Sequence, residues 1–370
     1  MPERKVNVLI AVAGLGIGGA EVVIQHLVRS IDRRRFNVTV GCIKAAGPIG
    51  EQLRHDGFDL EVLSRNGYEE PEYLTFLKMR RLLKQRRIDV IHSHTTDALA
   101  DAAVCRLLSP RVKLLHTFHY GNYPHLPKRQ LQMERLFARF ANRLVAVSEV
   151  QRSQISAAFG LEPAAIGRVW NGVPLQPAQP DGSFRTRVGA ADHVLIGTVA
   201  TMIRQKGLPD LLAVARKLRD SGRRVRFVVL GDGAMRAELE ELRRQLGVED
   251  TVVFAGWIKD ASRVAVPEFD IFFQPSLWEA MSIAVLEAMA AGVPVVASRV
   301  GENPYIIDHG KNGLLIEPRD VDGMARELAR LVDDAALRRR LGDAGSEKVA
   351  RQFTVAHMTR AYEKIYRELA

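Results

Sequence analysis

Short apolar runs rich in β-branched residues alternate with longer amphipathic stretches along nearly the whole chain. The short runs predict strands, and the stretches with apolar positions three and four residues apart predict helices. The predicted strands are Val6–Val12, Asn37–Ile43, Phe58–Leu63, Asp89–Ser93, Val112–Thr117, Leu144–Val147, Val194–Thr198, Val225–Leu230, Val252–Phe254, Phe269–Gln274, Val295–Ala297 and Leu314–Ile316. The predicted helices include Val22–Ser30, Leu74–Arg87, Leu99–Leu108, Arg129–Asn142, Glu149–Phe159, Leu208–Ser221, Met235–Leu246, Ile283–Ala291, Asp320–Leu331, Ala335–Gln352 and Val355–Leu369. This alternation is typical of parallel sheets covered by helices.

A proline-rich segment divides the pattern into two halves. Pro174–Asp181 reads PLQPAQPD, a composition typical of a linker. Each half of the 370-residue chain is long enough to bury a core of its own. The expected fold class is therefore α/β, with two doubly wound parallel-sheet, Rossmann-like domains facing across a cleft.

The apolar content of 47% is that of a globular protein, and no apolar run reaches the length of a membrane-spanning helix. The apolar run near the N-terminus is too short for a signal peptide, and it reads instead as the first strand. Cys42 and Cys105 lie in apolar contexts and are expected to be buried thiols in a reducing compartment. These features predict a cytoplasmic protein.

Positive charge is concentrated in the first half of the chain. Residues 1–175 hold 25 Lys and Arg against 16 Asp and Glu, whereas residues 176–370 hold 28 against 27. This asymmetry indicates an anionic partner for the first half: a membrane surface, an acidic acceptor or nucleic acid. Nucleic acid would account for the charge and for none of the motifs below, so we do not expect it as a partner.

Two basic stretches bear on the membrane alternative. Leu74–Arg87 and Lys128–Arg143 are both basic and partly amphipathic. In the second, Leu131, Leu136, Phe137 and Phe140 follow one side of the predicted helix. Packing of this apolar side on the core is the favoured interpretation, and contact with the inner face of the cell membrane is the alternative.

The segment from Pro275 to Pro294 carries the most informative local pattern. Two carboxylates, Glu279 and Glu287, are separated by seven residues, and a helix is predicted to begin at Ile283 with Ser282 as its N-cap. The backbone N–H groups of the helix start, at Met281, Ser282 and Ile283, form an anion site beside carboxylates that accept hydrogen bonds from hydroxyls. A ligand with phosphates next to sugar hydroxyls fits this description. Two solvated helix charges are the plain alternative for an isolated pair of glutamates.

A glycine-rich turn follows the first strand. Gly16, Gly18 and Gly19 lie between that strand and a helical pattern, where backbone approaches a ligand, often an anion. A tight packing turn is the alternative for this motif. The spacing is not that of a dinucleotide fingerprint, and the next strand ends in Lys44 rather than in an acidic ribose partner, which argues against NAD.

Several histidines follow predicted strands, where α/β folds bind ligands. We interpret His92, His116 and His125 as structural, because a lone histidine is more often a satisfied structural residue. His119 differs, since it closes a strand just before a turn with glycine.

These groups suit a nucleotide-diphosphate sugar. The leaving diphosphate gains negative charge as the glycosidic bond breaks, and the protein must meet that charge with fixed positive groups. Lys206 on a strand-to-helix turn is the best candidate, followed by the helix start at Met281–Ala284 and, across the expected cleft, by Gly16–Gly19. Glu287 is expected to bind ribose hydroxyls and Glu279 to hold the transferred sugar. Acidic clusters that would hold Mg²⁺ are not evident, so no metal and no cofactor are expected beyond the nucleotide sugar as co-substrate.

The ordered set of motifs resembles glycosyltransferase family 4. The motifs are Gly18-Gly19-Ala20-Glu21, Thr117-Phe118-His119, Ala146-Val147-Ser148-Glu149, Asn171-Gly172-Val173, Lys206-Gly207, Gly231-Asp232-Gly233, Glu279 through Glu287 to Ala297, and Asn312-Gly313-Leu314-Leu315. They occur in family order from about residue 8 to about residue 318.

The resemblance implies a GT-B fold in which the last helix, 355–370, returns to the acceptor-binding domain at 1–175, and residues 176–354 bind the donor. It implies retaining, metal-independent transfer from a UDP- or GDP-linked sugar to a lipid-linked or polysaccharide acceptor. Lys206, Glu279 and Glu287 match donor-site positions and Gly231 lies in a matching motif, while His119 matches a position near the transferred sugar. Catalytic roles are thereby assigned to His119, Lys206 and Glu279.

Two positions depart from the family pattern. Thr201 stands where the family commonly has arginine, so Arg204 is expected to supply the charge, and Tyr305 stands where a glutamate is common. These departures leave open a catalytically silent nucleotide-sugar-binding protein. A nucleotide-sugar epimerase on the same scaffold is a further alternative, which analysis of the products formed without an acceptor would separate from a transferase.

Overall fold

The computed structural model describes residues 4–64, 67, 72, 74–175 and 180–370. The chain forms two compact units. Unit 1 comprises Met1–Gly172 and Val355–Ala370, and unit 2 comprises Val173–Thr354. Within the predicted linker, residues 176–179 lie outside the described residues.

Unit 1 is built on a seven-stranded parallel sheet in the order β3-β2-β1-β4-β5-β6-β7. Its strands are β1 Val6–Gly14, β2 Phe36–Ala45, β3 Asp59–Val62, β4 Val90–Ser93, β5 Lys113–Phe118, β6 Arg143–Ala146 and β7 Ile166–Arg168. Its α-helices are α1 Gly19–Ser30, α2 Gly47–His55, α3 Thr75–Gln85, α4 Thr96–Leu108, α5 Lys128–Ala138, α6 Glu149–Phe159 and, from the end of the chain, α15 Val355–Leu369.

Unit 2 is built on a six-stranded parallel sheet in the order β10-β9-β8-β11-β12-β13. Its strands are β8 Val194–Val199, β9 Val225–Leu230, β10 Val252–Gly256, β11 Ile271–Gln274, β12 Val295–Ser298 and β13 Leu314–Ile316. Its α-helices are α7 Ser183–Arg187, α8 Leu208–Asp220, α9 Arg236–Gln245, α10 Ala261–Val264, α11 Ile283–Ala290, α12 Asn303–Ile306, α13 Val321–Asp333 and α14 Ala335–Gln352.

Burial explains why the strands read as continuous apolar runs. Val8–Val12 in β1 and Ile271–Phe273 in β11 are fully buried, because helices cover both faces of each sheet. The order of strands reverses between β1 and β4 in unit 1 and between β8 and β11 in unit 2. Ligands of doubly wound sheets bind outside the carboxyl ends of the strands at such reversals, so these two places are where a site is expected.

All of the predicted strands are present, and the predicted α/β class is confirmed. Several local predictions were incomplete or wrong. Helices α2 and α7 and strand β7 were not predicted, and the loop expected at Gly301–Tyr305 contains most of the short helix α12. Helix α1 begins at Gly19 rather than at Val22, so the last glycine of the turn is already helical.

Helix α15 completes unit 1. Its two tyrosines, Tyr362 and Tyr366, are almost fully buried in that unit. Tyr366 contacts the ring of Phe36 at the start of β2, and Glu363 accepts a 2.8 Å hydrogen bond from the backbone N–H of Asp32. Aromatic burial of this size accounts for the docking of the helix.

The apolar side of the predicted helix packs largely as expected, although α5 ends at Ala138 rather than at Asn142. Leu131 and Phe137 on α5 and Phe140 just after it lie against the core of unit 1, whereas Leu136 is 51% exposed. Over the described part of the chain, no helix has both the length and the apolar character needed to cross a bilayer. Both cysteines are free and buried, as expected.

Candidate functional site

A buried ion pair lies where β8 and β11 end in unit 2. Lys206 belongs to a single 3-10 turn after β8, and its Nζ donates to Oε1 of Glu279 at 2.6 Å. Ser276 donates to the same oxygen at 2.8 Å, and the amide of Gln205 donates to Oε2 at 3.2 Å. The side chain of Glu279 is 6% exposed and that of Lys206 is 18% exposed. Three donors therefore hold one carboxylate in a fixed position.

Two glycines allow the loop that carries Glu279 to lie this close to its neighbours. Gly207 has a φ of +62° and Gly301 a φ of +52°, which is the left-handed region that favours glycine. A Cβ at 207 would collide with the carbonyl oxygen of Pro275, and a Cβ at 301 would collide with that of Glu279. The loop thus packs closely against two backbone segments. In addition, the backbone N–H of Leu277 donates a hydrogen bond to the backbone oxygen of Gln205.

Helix α11 starts directly after this loop, as predicted. The hydroxyl of Ser282 accepts a hydrogen bond from the backbone N–H of Val285, so Ser282 is the N-cap. Met281, Ser282 and Ile283 are all buried. The positive end of the helix dipole therefore lies beside the Lys206–Glu279 pair.

Glu287 lies one turn along α11 and is half-buried. Desolvation raises the pKa of its carboxyl to about 7, and a hydrogen bond from Ser262 opposes that shift. This carboxyl is half ionised at neutral pH because burial removes water from it. Hydrogen bonds from the hydroxyls of a ribose would stabilise its ionised form.

Of two further predicted donor-site residues, Gly231 has a packing role in the structure, whereas the side chain of Arg204 is free to contact a ligand. A Cβ at 231 would collide with the carbonyl oxygen of Ala200, so this glycine lets the end of β9 pack on the segment after β8. Arg204 is exposed, as is Thr201. Among the residues that the structure describes, the Arg204 guanidinium has no hydrogen-bond or ion-pair partner, so it is available to an anion.

In unit 1, the glycine-rich turn already carries a carboxylate. Gly18 is the N-cap of α1, and a Cβ at this position would meet Oε2 of Glu21. The side chain of Glu21 is therefore folded back over the helix start, and desolvation raises its pKa. Gly16 has open space around it, whereas Gly19 is the first residue of α1. A ligand anion at Gly16, Gly18 and Gly19 would have to displace Glu21 or find it protonated.

Four histidines of unit 1 lie at the ends of β4 and β5. His92 is bonded through Nδ1 to Tyr366 at 2.7 Å and through Nε2 to Thr117 at 2.8 Å. His116 is bonded to Ser93 at 2.9 Å. A hydrogen bond of 2.9 Å joins Nδ1 of His94 to Nε2 of His119.

Burial lowers the pKa of all four histidines, to about 3 for His116 and to about 4 for His119. These rings are therefore neutral at pH 7. His92 and His116 are buried and hydrogen-bonded, as the structural interpretation expected, whereas His125 is exposed. Within the described residues, no group of three or more His, Cys, Asp or Glu side chains is placed to hold a metal ion.

Sequence reasoning missed several residues of these clusters. Ser276, Gln205 and Ser262 contact the predicted carboxylates, and His94 contacts His119. Position relative to a strand end was the available signal for His94, because His92 and His94 flank the end of β4.

A cavity of about 580 Å³ lies at the opposite, amino ends of the strands in unit 1. Its charged groups are occupied: Arg86 pairs with Asp59, Lys5 donates to the backbone oxygen of Arg33, and the Arg33 guanidinium lies over the ring of Phe58. These pairings leave the carboxyl ends of the strands as the better candidate site.

Two family models match successive parts of the chain. Residues 17–177 match Glycosyltransferase Family 4, and residues 185–348 match Glycosyl transferases group 1. Together the two matches extend over both units.

Relatives and solved structures agree with these matches. The chain is 23% identical over 322 residues to the UDP-Gal:alpha-D-GlcNAc-diphosphoundecaprenol alpha-1,3-galactosyltransferase of Escherichia coli, covering 83% of each chain. It is 27% identical over 327 residues to the MMP alpha-(1->4)-mannosyltransferase of Mycolicibacterium hassiacum, covering 82% of this chain and 77% of the relative. The structure resembles that of HepE from Anabaena in complex with UDP-glucose, with a TM-score of 0.87, 22% identity, and coverage of 98% and 99%. The predicted GT-B fold class is thereby confirmed.

Proposed function

Because the chain belongs to the group 1 glycosyltransferases, we propose that it is a retaining enzyme with a UDP- or GDP-linked sugar as donor. The acceptor is a hydroxyl of a lipid-linked or polysaccharide glycan, as in cell-envelope or exopolysaccharide synthesis. Unit 2 binds the donor and unit 1 the acceptor. The observation that carries the proposal is the buried Lys206–Glu279 pair at the start of α11, with Glu287 one turn further on.

The diphosphate of the donor takes the position opposite Lys206 and the start of α11. Its negative charge competes with Glu279 for the ammonium group, and the carboxylate of Glu279 becomes available to hydroxyls of the transferred sugar. Ser276 and Gln205 keep Glu279 in place during this exchange. The charge that develops on the leaving diphosphate is stabilised by groups already in position.

Ribose recognition is assigned to Glu287. Its carboxylate accepts hydrogen bonds from two hydroxyls, which restores the solvation that burial removed. Ser262, which donates to the same side chain, fixes its orientation.

We propose a one-face mechanism without a metal ion for the transfer itself. A double displacement requires a carboxylate nucleophile close to the anomeric carbon, and none is assigned in this chain. The acceptor hydroxyl instead attacks on the face from which the diphosphate leaves, and the departing phosphate oxygen takes its proton. Lys206 and Arg204 supply the positive charge that a metal ion supplies in other transferases.

A donor screen with product analysis tests the proposal. UDP- and GDP-linked sugars are incubated with lipid-diphosphate-linked glycans, with and without EDTA, and nucleotide release and anomeric configuration are measured. We expect EDTA-insensitive release of one nucleotide and an axial or equatorial linkage that matches the donor. An inverted product would contradict retention, and absence of release with every donor would contradict the donor class.

We expect Arg204→Ala to lower donor turnover about tenfold. The exposed guanidinium takes the charge-stabilising role that Thr201 lacks, and loss of one such charge in a partly solvated position costs on the order of 1–2 kcal/mol. Steady-state kcat and KM for the donor measure the effect. Arg216→Ala on the exposed side of α8 is the matched control, and equal rates for both variants would remove Arg204 from the site.

Peripheral binding to the inner face of the cell membrane belongs to the same proposal. Leu77 on α3 and Leu136 on α5 are 48% and 51% exposed among Lys and Arg residues of unit 1. Exposed leucines on basic helices bind anionic lipid by burial of the apolar side chain and by charge.

We expect the protein to sediment with vesicles that contain anionic phospholipid at low salt and to be released at high salt, where screening weakens the attraction. The double variant Leu77→Asp with Leu136→Asp should bind at least tenfold more weakly, because two apolar contacts are replaced by charges of the membrane's own sign. The control is Leu175→Asp, an exposed leucine far along the chain from both helices. Equal sedimentation of wild type and double variant would contradict this surface.

A further inference from the structure

The hydrogen bond between His94 and His119 raises a question of proton placement. The two rings are stacked, with centroids 5.2 Å apart and planes 27° apart, and Nδ1 of His94 lies 2.9 Å from Nε2 of His119. Both rings are neutral at pH 7, because burial lowers both pKa values. A neutral imidazole carries one N–H, so one of the two facing nitrogens donates and the other accepts.

The second nitrogen of His94 decides between the two arrangements. Nε2 of His94 is buried and, within the described residues, has no hydrogen-bond partner. If His119 donated, His94 would carry its own proton on Nε2, as a buried N–H without an acceptor. If His94 donates, Nε2 is only an unused lone pair. Orphaned buried N–H groups are the rarer of the two in native structures, so the second arrangement is favoured.

We propose that His94 is a positioning residue that donates its Nδ1–H to Nε2 of His119 and thereby keeps the proton of His119 on Nδ1. Within the described residues, Nδ1 of His119 has no partner of its own. His119 therefore offers a neutral N–H donor at this nitrogen. That the donor faces a sugar hydroxyl or a phosphate oxygen rests on the proposed function; the tautomer itself does not.

The position of the His94 ring is fixed by its neighbours. The ring of His92 lies against it, with centroids 3.9 Å apart. His92 in turn is held by Tyr366 and by Thr117, and Thr117 lies 3.2 Å from the hydroxyl of Tyr362. The backbone N–H of His94 also donates to a carbonyl in β1. Helix α15 thus supports the ring that sets the tautomer of His119.

The test is nitrogen-15 NMR of the full-length protein with labelled histidine, at pH 7 and without ligand. Wild-type protein should show the proton of His119 on Nδ1 and a bare Nε2, and His94 should show the same tautomer. Assignment by single His→Gln substitutions identifies the signals. A proton on Nε2 of His119 in the wild type would overturn the proposal without reference to any variant.

Two substitutions of His94 test the causal step. In His94→Asn the side-chain amide supplies an N–H in place of Nδ1–H, so this variant should keep the tautomer of His119. Its matched opposite is His94→Asp, whose carboxylate only accepts. It should pull the His119 proton to Nε2 and leave Nδ1 bare. His116→Asn, a buried histidine bonded to Ser93 and not to His119, is the control and should leave the tautomer unchanged.

Turnover of the UDP- or GDP-linked sugar that the wild type accepts in the donor screen, measured as release of the nucleotide, is the second readout. We expect His94→Asn to stay within about threefold of wild type, and His94→Asp to lose roughly a hundredfold in kcat with a smaller change in KM, as for loss of one preorganised donor. If both variants leave the proton of His119 on Nδ1, the positioning role is wrong. If the tautomers change as expected while the wild type turns over none of the UDP- and GDP-linked sugars of the donor screen, the positioning role stands and the proposed donor class is what fails.

Discussion

Lys206→Ala is expected to reduce donor turnover by two orders of magnitude or more and to destabilise unit 2. The rate falls because the charge that meets the leaving diphosphate is lost. Stability falls because Glu279, which is 6% exposed, keeps its burial and loses its cation. Removal of one partner of a buried ion pair costs about 3–5 kcal/mol, and the partial exposure of Lys206 places the expected value near the lower end.

A double variant separates these two effects. Lys206→Met combined with Glu279→Gln removes both charges and keeps the volume and the amide hydrogen bonds, so most of the lost stability should return while activity stays absent. Urea unfolding and nucleotide release are measured on wild type, both single variants and the double variant. Full recovery of activity in the double variant would rule out a catalytic role for the pair. A double variant as unstable as Lys206→Ala would show that the pair is not what holds the loop.

Glu287→Gln is expected to make the protein more stable and the enzyme less effective. Burial raises the pKa of Glu287 from 4.5 to about 7. Below pH 4.5 the carboxyl is protonated in both the folded and the unfolded chain, and it costs nothing. Between pH 4.5 and 7 the unfolded chain releases the proton and the folded chain keeps it, so stability is lost as the pH rises, and the loss is complete above about pH 7.

The glutamine variant should therefore equal the wild type at about pH 4 and exceed it at about pH 8. We expect a difference of roughly 2 kcal/mol, less than the full shift would give because the side chain is only half-buried. Nucleotide affinity should fall about a hundredfold at the higher pH, because an amide does not accept two hydroxyl hydrogen bonds as a carboxylate does. In the wild type, affinity should rise with pH up to about 7.

Thermal unfolding and nucleotide titration at both pH values measure the two effects. Glu347→Gln, an exposed glutamate on α14 of the same unit, is the matched control and should change neither quantity. A glutamine variant with unchanged stability at the higher pH would show that Glu287 carries no desolvation cost. Unchanged affinity would show that its carboxylate does not bind the nucleotide.

Most of the fold was predictable because buried strands leave a strong signal. Continuous apolar runs such as Val8–Val12 are dictated by burial on both faces of a parallel sheet. Strand β7 was missed because only Ile166 of its three residues is buried, as suits the edge of the sheet. Helix α2 was missed because Gly47 and Pro48 at its start and Gly50 in its first turn are read as turn signals.

The sequence identified most of the residues of the candidate site, but it did not indicate which of them contact each other. Lys206 and Glu279 were both identified, but they are 73 positions apart, and no local pattern indicates that they pair with each other. The fold-back of Glu21 over Gly18 is likewise a matter of side-chain conformation, which periodicity does not encode. His94 was missed because each histidine was weighed singly, whereas its role arises from its contact with His119.

The placement of helix α15 has a consequence for how the chain folds during synthesis. The ribosome produces all of unit 2 before it reaches Val355–Ala370, the segment that completes unit 1. Until then the polar groups of His92 and Thr117, which bond to Tyr366 and Tyr362 in the finished protein, lack those partners. The unit that is translated first is therefore completed last. A released chain truncated before Val355 should contain a protease-resistant unit 2 beside a unit 1 that is still cleaved readily.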